Sequence, residues 1–228
     1  MSSSQSIIIA IDGPSGSGKS TASRNTARRL GFVHVDTGAM YRAVTWTVLN
    51  HGIAPEDKLT VIGLLPKISV EPHVKDGSVQ WWIDGTYPEQ EIRSPRVEAG
   101  VSAVSAIPEV RAWCVAKQRE AVNLGNVVME GRDIGTVVFP DTPHKFFLTA
   151  SAEVRAQRRQ KDLERLQFKQ SVDQVAKGLM ERDRKDSSRA HSPLKMAEGA
   201  TVIDTSNNTV EQTAEEIMAA LRSHGVTK

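Results

Sequence analysis

The chain has 228 residues, of which 25% are charged and 39% are hydrophobic, and its formal net charge is +2. This composition is that of a globular protein with one substantial core, and so small a charge gives no reason to expect a nucleic acid or an anionic membrane as partner. The single cysteine, Cys114, excludes a disulfide within the chain and is expected to pack in the core. No apolar stretch reaches the about 18 residues of a membrane span. We therefore expect a cytoplasmic protein.

The amino-terminal part of the sequence alternates between strand and helix patterns. Residues 7–11 are all apolar, as in a strand that is buried on both faces. A helix is predicted over 19–30, a second strand over 32–36, and a second helix after that, which Gly52 ends. This alternation predicts a doubly wound α/β fold with a parallel sheet.

The pattern changes between residues 66 and 92. Three short segments rich in strand-forming residues, "ISVEPHV", "SVQWWID" and "GTYPEQE", are separated by the turn signals Asp76-Gly77 and Asp84-Gly85. No helix-length segment lies between them. We expect a small antiparallel insert of about three strands placed on the parallel core.

Helices and buried strands return after residue 93. Helices are predicted over 94–105 and 108–123, and strands over 127–131, 145–149 and 201–205. With the two amino-terminal strands, these make a five-stranded parallel sheet flanked by helices.

Three later helices carry signals for their first residue. Ser151 is placed to cap one helix. Ser171 with Gln174, and Thr209 with Gln212, have the spacing of a capping box.

A glycine-rich loop follows the first strand. The segment "GPSGSGKS", residues 13–20, matches G-x-x-x-x-G-K-[ST], and it stands between a buried strand and a helix. Its backbone N–H groups and the helix amino terminus are suited to bind phosphates. Lys19 is expected to reach the β and γ phosphates, and the Ser20 hydroxyl to bind Mg²⁺. The loop therefore predicts a nucleoside triphosphate as ligand.

Other motifs narrow the class of phosphate-loop protein. The sequence has no N-K-x-D or T-K-x-D motif for guanine, and "VVMEG" and "VIDT" are weak matches to the strand-then-aspartate motif of motors and helicases. Small-molecule kinases remain, and these need a second anion site for the acceptor. Asp36, Thr37 and Arg42 supply candidates where the second strand ends, with Arg42 able to bind a phosphate and Thr37 placed to cap the helix.

Five segments in order resemble the bacterial cytidylate kinase family. They are "IDGPSGSGKST", "DTGAMYR", "EIRSPRVEAGVSAVSAIPEVR", "GRDIGTVVFPD" and "ERDRKDSSRAHSPL". The resemblance covers about residues 7 to 222. It implies a P-loop kinase that transfers the γ-phosphoryl group of ATP to CMP or dCMP with Mg²⁺, acting as a monomer without nucleic acid or membrane.

The resemblance also implies roles for individual residues. For ATP it implies the loop and its surroundings: Gly13, Pro14, Ser15, Gly16, Ser17, Gly18, Lys19, Ser20, Thr21, Arg155 and Arg158. For CMP it implies Asp36, Thr37, Arg42, Ser102, Arg111, Arg132, Asp133, Arg182, Asp186 and Arg189. The residues expected to act on the transferring group are Lys19, Arg132, Arg158 and Arg159.

Within the CMP set, three residues are similar to the readers of the cytosine base. Asp133 can accept from the exocyclic amine, while Ser102 and Arg111 can donate to the ring nitrogen and carbonyl. Uracil has a carbonyl in place of that amine, so we expect UMP to be the poorer substrate. Arg182 and Asp186 have i,i+4 spacing, for which a surface ion pair is the alternative interpretation.

Basic residues concentrate between 155 and 189. A solvated helical face would explain them, but in the family this region is a mobile lid whose arginines close over the triphosphate. The resemblance thus implies one unit with a core (6–36, 108–150 and 190–228), a CMP-binding part with the insert (37–107) and a helical lid (151–189). Two other functions stay open: a kinase for UMP or a non-nucleotide acceptor, and a nucleotide-dependent binding module.

Overall fold

The computed structural model describes residues 6–165 and 171–227. Within them, seven strands form one sheet in the order β3-β4-β2-β5-β1-β6-β7. The strands are β1 (Ile8–Asp12), β2 (Val33–Asp36), β3 (Val70–Lys75), β4 (Ser78–Ile83), β5 (Val127–Gly131), β6 (His144–Thr149) and β7 (Thr201–Asp204). The five strands from β2 to β7 in this order are mutually parallel, with β5 and β1 at the centre. The predicted parallel α/β core is confirmed.

Eight α-helices connect and flank these strands in the described residues. They are α1 (Lys19–Leu30), α2 (Thr37–Asn50), α3 (Lys58–Leu64), α4 (Pro95–Ala106), α5 (Pro108–Arg119), α6 (Ala152–Arg165), α7 (Val172–Ser187) and α8 (Val210–Ser223). The hydroxyl of Ser151 accepts from the Val154 N–H at 3.3 Å, as predicted. Both predicted capping boxes are present, at the start of α7 and of α8.

The cap of α2 differs from its prediction. Thr37 is the first residue of the helix, and the cap is Asp36, whose carboxylate accepts from the Ala39 N–H at 2.8 Å. The Thr37 hydroxyl instead donates to the backbone carbonyl of Glu130 at 2.7 Å. A carboxylate one residue earlier reaches the free N–H groups of the first turn, so the threonine side chain is left for the neighbouring strand.

The insert has two strands, not the predicted three. β3 and β4 form an antiparallel hairpin around Asp76 and Gly77, whose φ angles are 50° and 71°. The expected third strand fails because the chain turns again at Asp84 and Gly85, and Thr86 makes only an isolated bridge to Ile83. The hairpin also extends the main sheet, since β4 lies parallel to β2.

The core lies on both faces of the sheet. Along β1, Ala10 belongs to the apolar cluster on the side of α2, α4 and α5, whereas Ile9 and Ile11 belong to the cluster on the side of α1 and α8. This follows from the alternation of side chains in a strand. Cys114 is fully buried in the first cluster, as predicted.

Helices α6 and α7 form a smaller cluster of their own through Ala156, Val175 and Leu179. They make up the described part of the predicted lid, 151–189; its residues 166–170 lie outside the described ranges. In the part of the chain that the structure describes, no helix is long and apolar enough to cross a membrane.

Candidate functional site

The glycine-rich loop joins β1 to α1 and leads directly into the helix amino terminus. Gly18, at the cap position of α1, has a φ of 83°, a conformation that glycine adopts at little cost. At Gly13 a Cβ would lie 2.0 Å from the backbone oxygen of Leu148, so no side chain fits. The first turn of α1 holds no acidic residue. Its N–H groups are therefore suited to an anion.

Lys19 is the buried cation of this loop. It is 6% exposed, and its Nζ donates to the backbone oxygen of Pro14 at 2.8 Å. Burial, with the nearby Arg132, lowers the pKa of Lys19 to about 7. An anionic ligand favours the charged ammonium form and opposes this shift. Lys19 is thus placed to bind phosphate.

Ser20 and Glu130 connect the loop to the central strand β5. The Ser20 hydroxyl donates to Oε2 of Glu130 at 2.7 Å. Glu130 is only 3% exposed and was not among the predicted site residues. Its signal was present in "VVMEG", an apolar strand that ends on a carboxylate, but the sequence alone did not show that this strand lies next to β1.

A second buried carboxylate, Asp12, ties the loop to the segment after β5. It ends β1 and accepts from the backbone N–H groups of Ile134 at 2.9 Å and Gly135 at 2.8 Å. Burial raises the pKa of Asp12 to about 6, against the effect of these two hydrogen bonds. Because Arg132 and Asp133 directly precede this contact, Asp12 fixes their position relative to the glycine-rich loop.

The segment after β5 carries two buried ion pairs. Asp133 Oδ2 accepts from the Arg111 guanidinium at 2.6 Å, and both side chains are almost fully buried. Arg132 donates through Nε to Asp186 at 3.0 Å, and Asp186 also pairs with Arg189. These contacts bring predicted residues of α5, α7 and the β5 loop together.

Arg42 and Asp36 face each other at the start of α2. Their ion pair measures 3.0 Å, and Arg93 approaches the same carboxylate oxygen at 3.9 Å. Burial disfavours the charged form of Asp36, but Arg42 and the Ala39 amide outweigh it and lower the pKa to about 2. Asp36 therefore holds Arg42 in place at the edge of the cleft.

The predicted lid arginines have three different surroundings. Arg158 donates to the Thr205 hydroxyl at 2.9 Å and to its carbonyl at 2.6 Å, and Arg159 pairs with Glu98 at 2.9 Å. Arg155 is 9% exposed and donates to the backbone oxygen of Ser15 at 3.1 Å. Arg158 and Arg159 line the cleft, whereas Arg155 does not and instead contacts the loop at Ser15.

Glu98 of α4 joins two of the helices that border the cleft. One of its oxygens, Oε2, accepts from Arg159 of α6 and, at 3.3 Å, from Arg182 of α7. The alternative pair of Arg182 with Asp186 is replaced by these longer-range partners. Sequence reasoning missed Glu98 because nothing in its local pattern marks a contact with residues 61 and 84 positions away.

One cleft of about 530 Å³ brings most of the predicted residues together. Those that line it are Ser15, Gly16, Gly18, Lys19, Ser20, Thr21, Asp36, Thr37, Arg42, Ser102, Arg111, Arg132, Asp133, Arg158, Arg159, Arg182, Asp186 and Arg189. Gly13, Pro14, Ser17 and Arg155 do not line it. The lining also includes unpredicted residues, among them Arg93, Glu98 and Glu130.

Comparison with known proteins shows the family of the chain. A sequence model of the family described as cytidylate kinase matches residues 9–223. The chain belongs to the cytidylate kinase family. It is 45% identical over 218 residues to a cytidylate kinase of Caldanaerobacter subterraneus subsp. tengcongensis, covering 96% of each chain.

Two further matches are a longer relative, of which the chain covers only a part, and a solved structure with a similar fold. The chain is 43% identical to a bifunctional pantoate ligase/cytidylate kinase of Synechococcus elongatus, covering 96% of this chain and 42% of that one. An uncharacterized protein of Eubacterium ventriosum has a similar structure, with a TM-score of 0.53 and 12% identity over 95% of this chain and 99% of that one. At such identity the likeness concerns the fold alone. The family membership identifies this cytidylate kinase homologue as a P-loop enzyme of ATP-dependent phosphoryl transfer.

Proposed function

We propose that the enzyme transfers the γ-phosphoryl group of ATP to CMP, and also to dCMP, giving ADP and the corresponding diphosphate. The observation that carries this proposal is a single cleft lined both by the glycine-rich loop and by a group of buried arginines and acids after β5. Two phosphorylated ligands can therefore meet in one site. The family of the chain supports the choice of acceptor.

The glycine-rich loop holds the donor in this proposal. Its N–H groups and Lys19 bind the β and γ phosphates, and Arg158 and Arg159 close over them from α6. Ser20 and Glu130 place two oxygen ligands 2.7 Å apart, and hard oxygen ligands suit Mg²⁺. These two residues would hold the ion, which neutralises triphosphate charge when bound.

The arginines of α2 and of the β5 loop hold the acceptor phosphate. Arg42 and Arg132 bind its oxygens, and Thr37 lies beside them. Asp186 accepts from a ribose hydroxyl, flanked by Arg182 and by Arg189 of the following loop. The ion pairs that these arginines now make with Asp36, Glu98 and Asp186 keep them extended toward the cleft.

The buried pair of Arg111 and Asp133 reads the base, together with Ser102. Their 2.6 Å contact fixes both side chains, which are almost fully buried. A carboxylate there accepts from the cytosine amine and repels the uracil carbonyl. This arrangement should select CMP over UMP, because an unmatched buried polar group costs binding energy.

Catalysis rests on alignment and charge rather than on a strong general base. The attacking group is already a phosphate oxyanion, so the enzyme needs to bring it in line with the γ phosphate and to neutralise charge. Lys19, Arg132, Arg158 and Arg159 supply that charge. Closure of the lid, 151–189, onto the core and the CMP-binding part, 37–107, excludes water and suppresses hydrolysis of ATP.

A coupled assay of ADP release tests the proposal directly. The purified chain receives Mg·ATP with CMP, dCMP, UMP or AMP in parallel. We expect strong stimulation by CMP and dCMP, weaker stimulation by UMP and little by AMP. Stimulation by a different acceptor would identify another small-molecule kinase, and no stimulation by any acceptor would favour a nucleotide-dependent binding module. The cytoplasmic location and the monomeric state stay predictions.

A further inference from the structure

His34 lies in β2 at the point where the hairpin joins the parallel sheet. Its backbone N–H donates to the carbonyl of Gly77 at 2.8 Å, and His34 and Ser78 are the register pair of β2 and β4. The residue is 2% exposed. A buried imidazole at such a junction needs a partner for each ring nitrogen.

Both ring nitrogens have such partners. Nε2 lies 3.2 Å from Oε1 of Glu130, and Nδ1 lies 3.3 Å from the Ser78 hydroxyl. A carboxylate only accepts hydrogen bonds, so Nε2 of His34 must carry a proton and donate a hydrogen bond to Glu130. In the neutral ring, Nδ1 then accepts from the Ser78 hydroxyl. The contact with Glu130 fixes the tautomer of that ring, and the two contacts together fix its orientation.

The two carboxylate oxygens of Glu130 contact different neighbours. Oε1 faces His34, while Oε2 accepts from the Ser20 hydroxyl of the glycine-rich loop at 2.7 Å. The terminal torsion of a glutamate is soft, so the carboxylate of Glu130 rotates unless both oxygens are held. Loss of His34 would also leave one buried carboxylate oxygen without a partner.

We propose that His34 is a positioning residue for phosphoryl transfer, because it orients Glu130 so that Oε2 stays beside Ser20. This inference rests on the proposed function, in which Ser20 and Glu130 hold Mg²⁺. Partners of metal ligands tune a site in this way without touching the ion. His34 also contacts Gly77 and Ser78, where the hairpin joins the parallel sheet. One residue therefore fixes both this edge of the sheet and the carboxylate of Glu130.

Kinetics of two His34 variants test the proposal. His34→Leu fills the space but removes the donor, and His34→Gln keeps an amide donor near Glu130. For His34→Leu we expect kcat to fall about tenfold and the Mg²⁺ concentration for half-maximal rate to rise, while KM for CMP stays close to wild type. His34→Gln should recover most of the loss. Thr26→Val, which also removes a buried polar group but in α1, should keep the kcat and the Mg²⁺ dependence of wild type.

The contrary outcomes are equally specific. Wild-type kcat and Mg²⁺ dependence in folded His34→Leu would overturn the inference, as would equal losses in folded His34→Leu and His34→Gln. If His34→Leu does not fold, two other measurements decide. They are the kinetics of His34→Gln compared with wild type and the ¹⁵N NMR spectrum of the His34 imidazole.

A ¹⁵N NMR spectrum of the His34 imidazole gives a readout that needs no turnover. A proton on Nε2 supports the proposal, and Nε2 without a proton overturns it. This result stands apart from the proposed function, which fails on its own if the wild-type chain shows no release of ADP with CMP.

Discussion

At the scale of single residues, Lys19 and Arg132 are the cations on which the proposed transfer depends most directly. We expect Lys19→Ala and Arg132→Ala each to lower kcat by about 10²- to 10³-fold, because each removes a fixed charge from the site where negative charge develops. The coupled assay measures the rate, and a melting curve shows that the fold persists. Arg28→Ala changes an exposed residue of α1 and serves as control. Near-normal turnover in either cleft variant would contradict the assignment.

Selection of the base depends on Asp133. Its ion pair with Arg111 is almost fully buried, so the carboxylate cannot move away from a mismatched base. We expect Asp133→Ala to lower the ratio of kcat/KM for CMP over UMP by about tenfold or more. This is the fold-change that corresponds to the free energy of a hydrogen bond to a charged group. Asp133→Asn, which keeps the shape, should act in the same direction. An unchanged ratio would remove Asp133 from base recognition.

The stability of the protein in acid depends in part on Asp36. Its pKa lies near 2, below the ordinary value of 3.8, since Arg42 and the Ala39 amide outweigh the effect of burial. The folded state therefore holds the carboxylate charged, and this contribution is complete above about pH 4 and lost as the pH falls toward 2. It amounts to about 2 kcal/mol. Urea unfolding between pH 5 and pH 2 should show the difference between wild type and Asp36→Asn shrinking as the pH falls, and a constant difference would contradict it.

At the scale of elements, the sequence predicts best those features that depend on residues close together in the chain. The capping boxes at Ser171 and Thr209 form because all the partners lie within four positions. The third strand of the insert was predicted wrongly because a run of strand-forming residues does not show where its pairing ends. The turn at Asp84 and Gly85 ended the pairing first.

Glu98 joins three helices, and this gives a prediction for the lid. Its carboxylate pairs with Arg159 of α6 and Arg182 of α7, and it is 21% exposed. Glu98→Gln should weaken both pairs and leave two cations close together, at a cost of about 1 to 2 kcal/mol. Amide hydrogen exchange in α6 and α7 should then be about 5- to 30-fold faster, with β1 and β5 unchanged.

An exposed ion pair of the lid provides the matched control. Glu181 pairs with Lys185 on the surface of α7, and Glu181→Gln should leave exchange in the lid nearly unaltered because exposed pairs contribute little. Equal effects of the two variants would mean that Glu98 is also a surface pair in solution.

At the scale of the whole molecule, the parallel sheet followed from alternation of strand and helix along the chain. The cleft did not follow from it, since its key contacts join distant segments. Glu98, Glu130 and Asp12 were all missed for this reason, although Glu98 and Glu130 each pair with a residue that the sequence had marked. The hydrogen-bond and ion-pair partners of these three carboxylates lie 61 to 123 positions away in the sequence. Only the folded chain brings such carboxylates to the arginines and loops that they hold.

The distribution of charge over the whole molecule predicts how anions affect its stability. Among the described residues, eleven basic and six acidic side chains line the cleft, an excess of five, although the chain as a whole carries only +2. The rest of the protein is therefore net negative, and the cleft gathers mutually repelling cations. A ligand that binds the folded state alone stabilises it by about 2.7 kcal/mol at a hundredfold excess over Kd.

We therefore expect sulfate to raise the melting temperature more than chloride at equal ionic strength, and ATP with CMP to raise it further. Screening alone acts equally for the two salts at matched ionic strength, so the difference reports binding in the cleft. The Arg132→Ala variant should lose part of the sulfate effect, and Arg28→Ala should keep it. Sulfate also strengthens apolar burial in general, so the comparison of these two variants decides. Equal sulfate effects in both would show that the stabilising sulfate does not bind at Arg132.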